Sequence, residues 1–396
     1  MTHLSRNPFI VTGKIEPELF CDRRKESERL IKSLTNGNNM VVMSPRRMGK
    51  TGLIQFCFDQ RILSENYYTF FIDILQTSSL REFTFYLGQA IFEGLLPRGR
   101  KILMKFLQTV RSISAGISFD PVTGGPQFNL QLGDIDKPEY TLDEIFGYLA
   151  TCDKPCIVAI DEFQQIANYP EKNVEAILRT YIQRLSNCHF IYAGSERHML
   201  SQMFSDYNRP FYHSSDVMEL HPIPLPVYTE FAQRLFRERD RNVEEEDIAR
   251  VYDLFEGNTY YIQKLMNSAF FRTAPGETCT LETMRVSLEE MLAAHDGIYR
   301  VMLSNMSLTS KELLFAIARE GKAEGLTSAA FIKEHKLQSA SAVQAALRTL
   351  VKQDAVTVNI PERHEIITGK KTYPLSDPLY RIWALQLTAN FKPLLP

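Results

Sequence analysis

Four short apolar runs in the first half of the chain predict the strands of a sheet. They are dominated by valine, isoleucine, tyrosine and phenylalanine, and polar or small residues follow each run, which is typical of strands that are buried on both faces. The runs cover residues 39–42, 67–73, 156–160 and 188–195. Stretches with helical periodicity separate them, so the order predicts a βα repeat and an α/β fold with a parallel sheet.

Helices are predicted wherever apolar residues recur at intervals of three or four. Those of the first half cover residues 25–34, 79–94, 98–110, 140–151 and 174–185. Those of the second half cover residues 228–239, 244–255, 260–273, 310–319, 328–334 and 339–353. Residues 113–119 and 128–132 instead alternate apolar with small or polar positions around a turn rich in proline and glycine, which predicts a β-hairpin.

Changes in this pattern divide the chain into three predicted domains. Residues 1–219 form an α/β core, with the hairpin as an insertion near 113–133. A proline cluster marks a linker, and a helical lid is predicted over 220–303. Residues 304–396 contain three helices followed by two strands, which is the composition of a winged helix-turn-helix domain.

The loop between the first predicted strand and the helix after it carries the clearest chemical signal. It ends in Gly49, Lys50 and Thr51, and such a loop between strand and helix cradles phosphate with its backbone N–H groups. Lys50 would place its charge on the β- and γ-phosphates, and the Thr51 hydroxyl would ligate Mg²⁺. The residues predicted to contact the nucleotide here are Ser44, Pro45, Arg46, Arg47, Met48, Gly49, Lys50, Thr51 and Gly52. Ser44 stands where the usual pattern has its first glycine.

A pair of carboxylates follows the strand predicted at 156–160. Asp161 and Glu162 would lie at the carboxyl edge of the sheet, where open α/β sheets bind their ligands. Asp161 would hold Mg²⁺ directly or through water, and Glu162 would orient and activate the attacking water. An isolated pair of this kind is more typical of a helix N-cap beside a solvated charge, but the phosphate loop upstream favours catalysis. Ser195, at the end of the next strand, is predicted either to sense the γ-phosphate or to be a turn residue.

Composition bears on three properties of the protein: binding of nucleic acid, binding of zinc and insertion into a membrane. The chain has 45 basic and 47 acidic residues, so any contact with nucleic acid must rest on a local patch. Of the six cysteines, Cys152 and Cys156 are spaced C-x₃-C without a second pair, which predicts reduced thiols rather than a zinc site. The first residues lack an apolar signal region, and no apolar run reaches about 18 residues. We therefore expect a soluble, cytoplasmic protein without a membrane span.

Together these motifs resemble the archaeal-type family of prokaryotic ATPases, within the STAND and AAA+ group of P-loop proteins. The family's Pro-Arg-Arg-x-Gly-Lys-Thr loop corresponds to residues 45–51, and its Phe-x-Asp/Gly-Arg box to 20–23. Its acid pair corresponds to 161–162 and its Gly-Ser strand end to 194–195. Its closing segment, Asp-Pro-aromatic-x-Arg-Phe/Trp-Trp, is similar to residues 377–383.

The resemblance implies an AAA+/STAND-like P-loop NTPase with a helical lid and a C-terminal winged helix. It implies ATP and Mg²⁺ as the bound cofactors, and the chain contains no Asn-Lys-x-Asp motif for guanine. In this family a Gly-Asn/His-Pro segment of the lid contacts the nucleotide, which assigns that role to Asn258. Here Thr259 replaces the proline, so the lid motif is incomplete.

Three functions remain open on the sequence. The first is an ATPase switch that moves the winged helix domain against a protein or DNA partner. Such a switch usually needs a further arginine on the transferring phosphoryl group, and Arg209 would supply it from a neighbouring subunit if nucleotide drives homo-oligomerisation. Arg46 and Arg47 are alternatives, and the simpler interpretation of Arg209 is a surface arginine.

The second function is ATP-gated binding of double-stranded DNA. The helix predicted at 339–353 would expose Ser341, Gln344, Arg348 and Lys352, which are side chains that can read a groove. Residues 309–383 hold eleven basic and eight acidic residues, a small excess that predicts weak and salt-sensitive binding. The third function is a nucleotide-binding scaffold without turnover, against which Glu162 argues. A small-molecule kinase is disfavoured because no second arginine-rich lid is present.

Overall fold

The computed structural model describes residues 7–13, 15–114, 116–119, 126–128, 131, 135–359 and 370–388. These residues fold into two compact units. The first contains the described residues between 15 and 221, and the second joins residues 7–13 to those from 222 onward. Within the part of the chain that the structure describes, every helix is too short or too polar to cross a bilayer.

The first unit is built on a parallel sheet. Its described strands are β1 (Met40–Met43), β2 (Tyr68–Asp73), β3 (Ile117–Phe119), β4 (Pro126–Phe128), β5 (Cys156–Asp161), β6 (Cys188–Gly194) and β7 (Asp216–Glu219). Five of them form one sheet in the order β2-β5-β6-β1-β7, and all of its neighbours are parallel. The parallel sheet predicted from the βα repeat is therefore confirmed, with β7 as an additional edge strand.

Alternate side chains of the central strands enter two separate hydrophobic cores. Val41 and Val158 belong to the core on one face, whereas Val42 and Ala159 belong to the core on the other. This is why β1 and β5 are apolar at nearly every position and are buried along their length. The helices that cover these faces and the loops between them are α1 (Arg24–Thr35), α2 (Lys50–Asp59), α3 (Arg61–Ser64), α4 (Leu80–Leu95), α5 (Arg100–Thr109), α6 (Arg111–Ser114), α7 (Pro138–Ala150), α8 (Val174–Gln183) and α9 (Arg197–Ser205).

The hairpin insertion differs from its prediction in extent. β3 and β4 pair antiparallel, with Ile117 opposite Phe128. Residues 111–114, part of which the alternating pattern placed in the first strand, form the short helix α6 instead. The turn at 120–125 and much of 129–134 lie outside the described residues.

The second unit is mostly helical. Its helices are α10 (Leu225–Arg237), α11 (Glu245–Leu254), α12 (Thr259–Arg272), α13 (Leu281–Ser304), α14 (Leu308–Glu320), α15 (Ala329–Glu334), α16 (Ala340–Lys352) and α17 (Pro378–Gln386). Its described strands are β8 (Asn242–Val243), β9 (Thr278–Cys279), β10 (Ala323–Glu324) and β11 (Thr372–Tyr373). β8 and β9 are parallel, and β10 and β11 are antiparallel.

The last part of this unit has the order of a winged helix domain. Helices α14, α15 and α16 come first, and the chain then forms antiparallel bridges between Val356 and Leu375 and between Asn359 and Thr372. β10, between the first two helices, completes this small sheet by pairing with β11. Serines cap all three helices: Ser307, Ser328 and Ser339 each accept a backbone N–H of the first turn. The predicted winged helix is confirmed.

Candidate functional site

The phosphate-binding loop connects β1 to α2 at the carboxyl edge of the sheet. Helix α2 begins at Lys50, directly after Gly49, whose φ of 87° is left-handed and therefore favours glycine. Arg47 also has a positive φ, 66°. Residues 44–49 therefore turn sharply, which aims the N-terminal N–H groups of α2 at the space above the sheet.

Ser44, at the position where the usual pattern has glycine, is part of the structure of this loop. It is fully buried, and its hydroxyl donates a 2.9 Å hydrogen bond to the Pro45 carbonyl. Its N–H donates to the carbonyl of Gly194, at 3.4 Å. The serine thus fastens the start of the loop to the end of β6.

A buried arginine holds the far side of the loop. Arg23 donates from Nη2 to the carbonyl of Met48, at 2.8 Å, and from Nη1 to the carbonyl of His221 and to Glu26 Oε1. The arginine is 3 % exposed, and its bond to the Met48 carbonyl is buried. The sequence marked Arg23 only as the last residue of a box; the structure shows that this arginine fixes the carbonyl next to Gly49.

The loop and the acid strand meet through Thr51 and Asp161. The Thr51 hydroxyl donates to Asp161 Oδ2 at 2.7 Å, although the two residues are 110 positions apart. Asp161 is 5 % exposed, and this burial raises the pKa of its carboxyl despite the nearby Lys50 charge and the Thr51 hydrogen bond. Hydroxyl and carboxylate oxygens are the kind of ligand that Mg²⁺ prefers, so the Thr51 and Asp161 side chains fit this ion.

Glu162 lies beside this pair in a left-handed conformation, with φ of 55°. Its Oε1 is 3.9 Å from Lys50 Nζ. Its Oε2 accepts three hydrogen bonds: 2.8 Å from the Ser195 hydroxyl, 3.1 Å from the Ser195 N–H and 2.6 Å from Gln164 Nε2. Burial alone would raise the pKa of this carboxyl, but the Lys50 charge and these hydrogen bonds outweigh it, and the pKa is lowered. Glu162 is therefore a carboxylate at neutral pH.

Gln164 is a part of the site that the sequence analysis missed. It is buried, and its amide lies directly against Gly194. A Cβ atom at position 194 would come within 2.1 Å of Gln164 Oε1. The glycine at the end of β6 thus makes the room from which Gln164 reaches Glu162. No short-range pattern distinguishes this glutamine, because it follows the strand in a 3₁₀ turn, Phe163–Asn168.

The other predicted residues lie in different surroundings. Arg46 and Arg47 are exposed on the loop, Met48 is buried, and Gly52 packs in α2 near the Phe20 ring. Arg209 forms a 2.7 Å ion pair with Glu175 of α8. Asn258 belongs to the second unit, where its side chain caps α12 by accepting the Tyr261 N–H. The structure thus brings Lys50, Thr51, Asp161, Glu162 and Ser195 together, and it gives Arg209 and Asn258 other local partners.

Comparisons with known proteins agree with the fold. Residues 20–265 match the family described as an ATPase domain predominantly from Archaea, and residues 297–386 match a probable winged helix domain. No curated protein matches the sequence.

Several solved structures share the fold. The Walker-type ATPase paby2304 of Pyrococcus abyssi is 20% identical, with a TM-score of 0.65 over 95% of this chain and 99% of that one. The ORC2 protein of Aeropyrum pernix, in ADPNP–ADP complexes, is 15% identical, with a TM-score of 0.57 over 94% of each chain. The ORC1 protein of Aeropyrum pernix in complex with DNA is 12% identical, with a TM-score of 0.52 over 96% of this chain and 97% of that one.

Proposed function

This chain belongs to the family of ATPase domains found predominantly in Archaea, and from that membership and the site geometry we propose that it is an Mg²⁺-dependent, ATP-hydrolysing switch. Its nucleotide state would control the position of the winged helix domain, which contacts a macromolecular partner. The proposal rests on two pairs of side chains that meet at one edge of the sheet. Thr51 contacts Asp161 at 2.7 Å, and Lys50 lies 3.9 Å from Glu162.

Each residue of the site has its own role in phosphoryl transfer. The loop N–H groups and Lys50 bind the phosphates, and Lys50 exchanges the Glu162 carboxylate for phosphate oxygens when ATP enters. Asp161 and Thr51 would hold Mg²⁺, which neutralises negative charge on the phosphoryl oxygens when bound. Two carboxyl groups, those of Asp161 and Glu162, lie near one ammonium, an arrangement that favours a divalent cation.

Glu162 would take a proton from the attacking water. Its lowered pKa keeps it ionised, and the three donors on Oε2 fix the orientation of the carboxylate. Those donors occupy Oε2, so Oε1, which faces Lys50, is the oxygen that would accept the proton once Lys50 turns to the phosphates. Ser195 and Gln164 are then positioning residues for this base.

The substitution Glu162→Gln tests this function. It preserves the shape of the side chain and removes its basicity, so we expect steady-state ATP hydrolysis to fall by about 10²–10⁴-fold while ATP still binds. Glu196→Gln, a neighbouring exposed glutamate, is the matched control and should retain the wild-type rate. Equal hydrolysis by wild type and Glu162→Gln would remove the catalytic role and leave a nucleotide-binding scaffold.

Double-stranded DNA is the second candidate partner, and one observation favours it. Helix α16 buries Val343, Leu347 and Leu350 and leaves the opposite face exposed, as the sequence predicted. That exposed face carries Ser341, Gln344, Arg348 and Lys352. We propose that ATP binding gates the contact of this face with duplex DNA.

Arg209 remains our proposal for an arginine that acts on the phosphates from a neighbouring subunit. It would have to leave its ion pair with Glu175 to do so.

A further inference from the structure

A row of basic residues runs along the outside of helix α5 in the first unit. The helix buries Leu103 and Phe106 in the core and leaves Lys101 and Lys105 exposed. The two lysines are four positions apart, so they project from the same face of the helix. Residues 94–119 contain no acidic residue, whereas the whole chain is balanced, with 45 basic and 47 acidic residues. The basic residues of this segment are Arg98, Arg100, Lys101, Lys105 and Arg111.

Two further cations lie at the amino end of the sheet, opposite the end that carries Asp161. Tyr68 is the first residue of β2 and the register partner of Cys156, the first residue of β5. The charged groups of Arg98 and Lys154 lie 5.8 and 5.9 Å from the centre of the Tyr68 ring. We call the exposed cations of this region the basic surface, which consists of Arg98, Lys101, Lys105 and Lys154.

Backbone carbonyls hold three of these four cations in place. Lys154 Nζ donates to the Glu65 carbonyl at 2.8 Å, and Lys105 Nζ donates to the Thr151 carbonyl at 2.6 Å. Arg98 Nη1 donates to the carbonyl of the residue before Glu65, at 3.1 Å. Such a bond orients a charge without cancelling it, and each lysine ammonium keeps two further N–H donors for a ligand.

The positive charge of the basic surface is only partly offset by acidic residues. Among the residues that the structure describes, no carboxylate oxygen lies within 4.0 Å of a charged nitrogen of this surface. The nearby acids have other partners: the Glu65 carboxylate forms a 2.7 Å ion pair with Arg61, and the Asp153 carboxylate accepts the Tyr68 hydroxyl at 3.3 Å. The surface therefore keeps a net positive charge that a polyanion can neutralise.

The composition and spacing of the basic surface favour a nucleic acid over an acidic protein. Three of its four cations are lysines. Lysine is depleted at protein–protein interfaces, whereas contacts to DNA phosphates use both lysine and arginine. Lys101 and Lys105 are about 6 Å apart along the helix axis. Over that length one strand of duplex DNA carries about two phosphates, so the two spacings match.

We propose that the basic surface contacts the phosphate backbone of double-stranded DNA. The contact would be independent of sequence, because the phosphates carry no information about the bases. This inference rests on the DNA-binding function proposed above for α16. It adds cations of the ATPase core to those of a winged helix domain whose small basic excess neutralises few phosphates.

The double substitution of Lys101→Gln with Lys105→Gln tests this inference in the full chain. Each lysine that contacts a phosphate contributes about 0.9 to the slope of log affinity against log salt, so the slope should fall by about two. Affinity should fall about tenfold for each lysine at about 50 mM salt, and by the same factor for two duplexes of unrelated sequence. The ATPase rate without DNA should not change, because neither lysine belongs to the nucleotide site.

The matched control removes the same charge from another helix of the core. Lys25→Gln with Lys32→Gln changes two exposed lysines of α1 and should keep the wild-type salt slope. Lys154→Gln is an independent second variant and should lower the slope by about one. Circular dichroism establishes that each variant is folded. A wild-type slope in both the Lys101/Lys105 variant and Lys154→Gln, or an equal loss in the control, would overturn the inference.

The results also separate this inference from the function on which it rests. If the wild type binds duplex DNA and Arg348→Glu on α16 weakens that binding while the basic-surface variants do not, the inference fails and the DNA-binding function stands. The basic surface would then be assigned to an acidic protein partner. If the wild type binds no duplex even at low salt, the DNA-binding function fails and the inference fails with it.

Discussion

The Ser195 hydroxyl donates a 2.8 Å hydrogen bond to Glu162 Oε2, and the bond joins the ends of the neighbouring strands β6 and β5. The Ser195 N–H donates to the same oxygen. Two donors from one residue therefore tie the proposed base to the next strand. Any movement of the end of β6 would move Glu162 with it.

We expect Ser195→Ala to weaken hydrolysis in a way that depends on pH. The hydroxyl stabilises the ionised Glu162, so its loss raises the pKa of that carboxyl and moves the acid limb of the kcat profile to higher pH. At neutral pH kcat should fall roughly tenfold, because the carboxylate loses one of the donors that fix its orientation while the Ser195 N–H remains. A pH series of ATPase rates measures both effects, with Ser205→Ala on the exposed end of α9 as control. An unchanged acid limb would exclude this role of the hydroxyl.

Asp161→Asn should stabilise the protein while it removes Mg²⁺ binding. Burial raises the pKa of Asp161, so folding disfavours its ionised form and the wild type loses stability as pH rises through the folded-state pKa. Asparagine keeps an oxygen for Thr51 and carries no charge. We expect the free energy of unfolding without nucleotide at pH 7 to rise by about 1 kcal/mol, measured by urea denaturation.

The same variant should lose the added stability that Mg²⁺ and ATP give to the wild type. Asp73→Asn is the control, since Asp73 is the register partner of Asp161 on β2 but is exposed. Its stability should change by less than about 0.5 kcal/mol. A less stable Asp161→Asn protein would mean that the fold gains from this charge, contrary to our interpretation.

Gly194→Ala should disturb the site through Gln164. The added Cβ would lie 2.1 Å from Gln164 Oε1 and 3.2 Å from Leu200 Cδ2, so the buried Gln164 side chain would have to move. We expect a loss of about 1–3 kcal/mol in the free energy of unfolding together with slower ATP hydrolysis, because Gln164 would leave Glu162. Gly147→Ala is the matched control: nothing lies within 4 Å of its Cβ, and alanine is favoured in helix α7. Equal activity and stability of the two variants would show that the close contact at Gly194 affects neither hydrolysis nor folding.

The sequence predicted the parts of the site that depend on local pattern. A strand, a Gly-Lys-Thr loop and a helix follow one another in the chain, and an apolar run ends in Asp161 and Glu162, so the loop supported the interpretation of the acid pair. Their approach to 2.7 Å follows from the parallel sheet, which brings the carboxyl ends of its strands to one edge. The family inferred from these motifs is likewise confirmed by the match to residues 20–265.

Contacts across long sequence separations could not be predicted in the same way. Strand β7 has only four residues, of which two are exposed, so no buried run marks it; its pairing with β1 decides its place. Arg23 and Gln164 are polar residues whose partners lie elsewhere in the chain or in a turn. Their burial, and hence their importance, becomes evident only in the folded unit.

The closing motif at 377–383 shows the same limit. The sequence identified it only by resemblance, whereas the structure shows what it holds together. Trp383 Nε1 donates to Asp296 of α13 at 2.8 Å, and the Tyr299 hydroxyl donates to Asp377. Arg381 donates from Nε to the carbonyl of Ala318 in α14, at 3.1 Å. The motif thus links the long helix α13 and α14, the first helix of the winged helix domain, to α17.

Charge on α16 should control binding to duplex DNA if this helix is the contact surface. Arg348 and Lys352 are exposed on the face opposite the buried Val343, Leu347 and Leu350. We expect Arg348→Glu to weaken binding to random duplex DNA about tenfold at low salt and to reduce the slope of log affinity against log salt by about one. Arg285→Glu, on α13 and outside the winged helix match, serves as the control.

The salt series should be measured with and without a non-hydrolysable ATP analogue, because gating predicts that the analogue changes the affinity of the wild type. A basic excess of three residues between 309 and 383 neutralises few phosphates, so binding should be lost at moderate salt. Absence of binding even at low salt, in both nucleotide states, would discard DNA as the partner. The exposed face of α16 would then be assigned to a protein partner, since winged helices contact proteins as well as DNA.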